Sequence, residues 1–107
     1  MKPTWIRIRP HLIHPDSNPD NVCRLFQGVA TDEAHPYHEA LTAMVFGLRN
    51  NDPAKVITEA MSVTPPGQPA TWSICVTTPN GIFGQRKEDL EDLFNDIAEE
   101  HVRQHAG

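Results

Sequence analysis

Six histidines fall in three close pairs: His11/His14, His35/His38 and His101/His105. The last pair is spaced i, i+4, which on a helix brings two imidazoles to one face, where they suit a metal ion. Zinc takes three or four ligands, so His11 and His14 would need Asp16 or Asp20 beside them. The run His35-Pro36-Tyr37-His38-Glu39 is not the HExxH arrangement of a zinc hydrolase. Its order is wrong, and Pro36 interrupts any helix through the pair. A histidine-based metal-binding protein or small metal-dependent enzyme, built on His11, His14, His101 and His105, is therefore the alternative reading. The first reading expects no metal and no other cofactor, with the histidines at loops and helix ends and His101 at the edge of the core.

Two cysteines, Cys23 and Cys75, show neither CxxC nor zinc-finger spacing. Both lie in strand-like segments and read as buried, reduced thiols. No GxSxG, Walker loop or GxGxxG is present. The segment Gly81-Ile82-Phe83-Gly84 is too short to cradle phosphate. The sequence therefore points to a chain that is not an enzyme.

The densest chemistry is acidic. Glu88, Asp89, Glu91, Asp92, Asp96, Glu99 and Glu100 hold half of the 14 carboxylates of the chain, with no base among them. On a helix, Glu88, Asp92, Asp96 and Glu99 fall opposite Leu90 and Ile97, making a carboxylate ridge roughly 15–20 Å long. The early acids complement the helix dipole. Those from Asp96 onward lie toward its negative end, and like charges four apart cost a few tenths of a kcal/mol. Such a ridge suits a basic surface on another protein. Glu88, Glu91, Asp92, Asp96 and Glu99 are its candidate contact residues.

Two aromatics are the candidate anchors. With Tyr37 at 0°, the helical stripe through Leu41 and Leu48 centres near 20°, and Phe46 falls at about 180°. Trp5 shares a strand face with Arg7 and Arg9, an aromatic and arginine set of the kind found at interface centres. The plainer role of those arginines is to keep an edge strand from aggregating.

These residues must be positioned by short elements. The chain has 107 residues, 38% of them hydrophobic, and a formal net charge of -5. That is one domain, 1–107, with a small core, and its acidity argues against direct nucleic-acid binding. Nothing approaches 18 consecutive apolar residues, so no membrane span is expected. The segment Met1-Lys2-Pro3-Thr4-Trp5-Ile6-Arg7 lacks the apolar core of a signal peptide, which predicts an intracellular, cytoplasmic chain. Ten prolines punctuate the elements and interrupt no periodic apolar run.

Thr4 to Arg9 alternates as a half-buried strand, with Ile6 and Ile8 inward. Residues 10–21 read as a loop. Val22 to Val29 reads as a second strand, with Gly28 marking a bulge or a close backbone approach. Pro36 opens a helix whose stripe is Tyr37, Leu41, Met44, Val45 and Leu48. Asp52-Pro53 starts another, with Val56, Ile57, Ala60 and Met61 as its stripe. Thr71 to Thr78 is a strand burying Trp72, Ile74 and Val76. Asn80-Gly81 turns the chain into a short return strand, Ile82-Phe83. A final helix, about 85–104, carries the stripe Leu90, Leu93, Phe94, Ile97 and His101. The predicted class is α+β: a small antiparallel sheet of three to four strands with two or three helices on one face, in the order ββααββα.

The function these features imply is that of a small acidic protein-binding domain. It inhibits or neutralises a larger basic or nucleic-acid-handling partner, as immunity proteins, antitoxins and phage-encoded anti-defence inhibitors do. That partner is a protein with a basic surface, and the chain itself is a monomer or homodimer. The third alternative is a structural subunit of a homo-oligomeric assembly, with Trp5 or Phe46 marking the self-contact.

Overall fold

A computed structural model gives the fold and describes residues 2–45, 55–78 and 86–105. Among these, the elements are β1 (Lys2–Ile8), α1 (Pro19–Thr31), α2 (His38–Met44), β2 (Ile57–Val63), β3 (Thr71–Thr78) and α3 (Lys87–His105). The strands form one antiparallel sheet in the order β1-β3-β2. The class is α+β as predicted, but the order is βααββα rather than ββααββα.

Two segments account for the difference. Val22 to Val29 is not a strand but the body of α1. Val22, Phe26, Val29 and Ala30 are its buried residues, spaced four, three and one apart along one helical face. Its start is well specified: the Asn18 side chain accepts from the backbone N–H of Asp20 at 2.8 Å, and Pro19 occupies the first turn. Gly28 marks neither a bulge nor a close approach, since a Cβ there would meet nothing within 4 Å.

The second expected helix, through Val56, Ile57, Ala60 and Met61, is absent among the described residues: Val56 lies in a turn, and Ile57, Ala60 and Met61 belong to β2. Its register against β3 slips between Ile57 and Glu59. Thr58 is the extra residue of a bulge, so Ile57 and Ala60 reach the same face although they are three apart. That spacing imitates a helix. The first predicted helix begins at His38 rather than Pro36, with Tyr37 as its N-cap. Phe46, Leu48, the Asp52-Pro53 start, the Asn80-Gly81 turn and the Ile82-Phe83 strand lie outside the described residues.

Both α1 and α3 lie on one face of the sheet, α1 over β2 and α3 against β1. Beneath them sit Ile6 and Ile8 of β1, Ile57 and Ala60 of β2, and Trp72, Ile74 and Val76 of β3, all buried. Phe26 and Phe94 join the helices, with ring centroids 4.8 Å apart and planes 15° from parallel. Such a pair is worth about 0.5–1.5 kcal/mol beyond its burial. α2 packs on α1 and α3 and contributes Leu41.

Two turns use the same backbone device. Gln68 N–H bonds the Pro65 carbonyl at 3.1 Å, and Gly67 between them has φ +72°. Leu12 N–H approaches the Arg9 carbonyl at 3.4 Å, and His11 has φ +72°. Each places proline one position before a left-handed residue, as a type II turn requires. Glycine suits that site, and His11 occupies it with a steric penalty.

Candidate protein-interaction surface

The α3 helix sorts its carboxylates. Glu99 Oε1 pairs with Arg9 Nη1 at 2.5 Å, and Glu100 Oε2 with Arg103 Nη2 at 2.7 Å. Asp89 lies 3.6 Å from the Arg86 guanidinium. Glu91 accepts the backbone N–H of Arg7 at 3.3 Å. The remaining three, Glu88, Asp92 and Asp96, are exposed and have no cation partner among the described residues. They recur every fourth residue and so form one row along the helix. The ridge predicted from Glu88, Glu91, Asp92, Asp96 and Glu99 is therefore narrower. Glu91 and Glu99 sit toward β1 and serve the fold.

The reason is the position of β1 at the sheet edge. Its outward backbone groups meet α3 instead of another strand. Asn95, 4% exposed, accepts the Arg9 N–H through Oδ1 at 2.6 Å. Its Nδ2 donates to the carbonyls of Arg7 at 3.0 Å and Glu91 at 2.8 Å. Glu91, Asn95 and Glu99, each four residues on, thus line the contact with the edge. On the opposite edge, Gln27 Nε2 of α1 donates to the Ile57 carbonyl at 2.9 Å.

The predicted anchors separate. Trp5 and Arg7 lie on the sheet face turned away from the helices, where Trp5 is 36% exposed. Arg9 lies past the end of β1 and is held by Glu99, so it does not belong to that face. Phe46 lies outside the described residues. Two residues of the face were not foreseen: Glu59 and Met61, both exposed on β2. The sequence signal for them was the strand parity that the Thr58 bulge breaks.

The histidines spread over the α1–α3 side. Two open clefts, of about 410 and 540 Å³, meet at Leu25 and His101. His35 and Asp32 line the first, and His14 and Arg24 the second. The His14 carbonyl accepts the Trp72 indole N–H at 3.1 Å, which ties the 10–18 loop to the core. His105 Nδ1 donates to the His101 carbonyl at 2.9 Å, and the two rings lie 4.2 Å apart. Burial, and secondarily His105, push the His101 pKa down. Among the described residues no three His, Cys, Asp or Glu side chains gather to hold a metal ion. His11 and His14 are exposed on the loop, and only His14 shares a cleft with His101.

Cys75 is buried on β3, and Cys23, expected in a strand, is half-buried on α1; both are free thiols. Burial, then Asp20, Glu59 and Cys75, raise the Cys23 pKa, so its thiolate is suppressed. No described helix is long and apolar enough to cross a membrane. Compared with known proteins, the chain matches no family model, no curated protein and no solved structure.

Proposed function

We propose that the chain is a small protein-binding domain that presents α3 to a basic surface of a larger partner. By occupying that surface it inhibits or neutralises a partner of the nucleic-acid-handling kind. The observation that carries the reading is the division of labour among the α3 acids. Flanking carboxylates are matched with Arg9, Arg86, Arg103 or the β1 backbone, while Glu88, Asp92 and Asp96 are left in a solvent-facing row without a described cation. Unpaired like charges at four-residue spacing cost helix stability. A row of them speeds encounter with an oppositely charged surface, more so at low salt.

The test is the triple variant Glu88→Lys/Asp92→Lys/Asp96→Lys, with Asp16→Lys/Asp20→Lys/Glu33→Lys as a charge-matched control. Each is used as bait beside the wild type, at low and high salt, with circular dichroism to verify folding. The reading requires a basic protein retained by wild type and control, released by salt and lost by the α3 variant. Retention of the same proteins by the α3 variant overturns it.

A further inference from the structure

The sheet face turned away from the helices carries a charge pattern that complements itself. Pairing to β3 fixes its layout. Trp5, Cys75 and Glu59 lie abreast across the three strands, and Arg7, Ser73 and Met61 form the next row. The central column is small, with Ser73 half-exposed and Cys75 buried. The larger side chains stand at the four corners. Trp5 and Met61, 36% and 44% exposed, occupy one diagonal, and Arg7 and Glu59, both exposed, occupy the other.

We infer that this face is the contact between two copies of the chain. A two-fold axis lying between two such faces, along the Trp5–Met61 diagonal, leaves each residue on that diagonal opposite itself. It exchanges the other diagonal, so Arg7 of each copy faces Glu59 of the other. Columns two strand spacings apart, roughly 9.5 Å, and rows two residues apart, roughly 7 Å, make the layout nearly square. The exchange therefore brings the charges within side-chain reach. The strands of the two copies cross at nearly a right angle, which is one of the two ways sheets pack face to face. Trp5 meets its own counterpart above the shallow floor of Ser73 and Cys75. Two-fold axes along or across the strands leave Arg7 opposite Met61 or Trp5, and one along the Arg7–Glu59 diagonal sets each charge against its like, so none of these neutralises a charge.

The alternative self-contact, strand addition at the β1 edge, is closed over Arg7–Arg9 by Glu91 and Asn95, and Pro3 has no N–H to offer. A face of three short strands is small beside the roughly 1,200–2,000 Å² of a standard stable interface, so the dimer is weak and concentration-dependent. It also leaves both α3 rows outside the contact.

Sedimentation velocity over a wide concentration range tests this, with wild type, Trp5→Ala, Arg7→Glu, Glu59→Arg and the double exchange Arg7→Glu/Glu59→Arg. The expected result is a wild-type dimer that Trp5→Ala abolishes. Each single charge variant weakens it at least tenfold, and the double exchange restores it. Glu59→Arg lies on β2, away from α3, and serves if Arg7→Glu disturbs the contact with Glu91. The inference is overturned by a chain that stays monomeric throughout, by a dimer indifferent to Trp5→Ala, or by a double exchange no tighter than the singles. It is equally overturned if the face takes a different protein in preference to a second copy.

Discussion

The Asn95 side chain and the Arg9 backbone are bonded at 2.6 Å, although 86 residues separate them. The same carboxamide donates to the Arg7 carbonyl, so one buried amide stands where, among the described residues, β1 has no neighbouring strand. Asn95→Leu keeps the branching at Cγ and removes every one of these bonds. It leaves the Arg9 N–H and Arg7 carbonyl facing an apolar group, at an expected cost of about 2–3 kcal/mol. Urea unfolding measures it. A loss no larger than that of an exposed substitution would mean that water replaces the carboxamide.

Gly28 lies within α1, has an ordinary helical φ, and has open space where a Cβ would stand. Gly28→Ala is expected to stabilise the fold by about 0.5–1 kcal/mol, through helix propensity and a smaller loss of chain entropy. A raised melting temperature is the readout. A lowered one would show that the cleft beside Gly28 closes more tightly than its geometry indicates.

His101 gives the fold a dependence on acid. Its pKa is lowered from the ordinary 6.5, chiefly by burial and then by His105. As the pH falls through the unfolded value, the unfolded chain takes up this proton before the folded one does. Stability contributed by neutral His101 is therefore complete above about pH 6.5 and declines below it, until the folded residue also protonates. The slope of melting temperature against pH between 7 and 5 should be shallower in His101→Gln. An unchanged slope would place the acid sensitivity elsewhere.

Legibility in the sequence followed periodicity wherever nothing interrupted it. The alternation of Ile6 and Ile8, that of Trp72, Ile74 and Val76, and the stripe Leu90, Leu93, Phe94 and Ile97 all appear in the fold as predicted. Val22 to Val29 reads as a strand because valine, cysteine and phenylalanine suit strands, yet it forms the body of α1. The Asn18-Pro19 start outweighs that preference, since a capping side chain and a proline in the first turn together specify a helix. The β2 error had a physical source in the Thr58 bulge, which gives a strand the three-residue spacing of a helix. The acid row was legible in part. Helical geometry placed Glu88, Asp92 and Asp96 together, but nothing local tells Glu99 that Arg9 is near. The meeting of His14, His35 and His101 around Leu25 had no sequence signal, because loop path decides it.

The dependence of β1 on α3 also bears on synthesis. The strand leaves the ribosome before α3, and Glu91, Asn95 and Glu99 follow more than eighty residues later. Until then its outer backbone has no cover, and a nascent or prematurely terminated chain offers that strand to its neighbours on the same message. The strand edge is thus protected against aggregation only once α3 has emerged and docked.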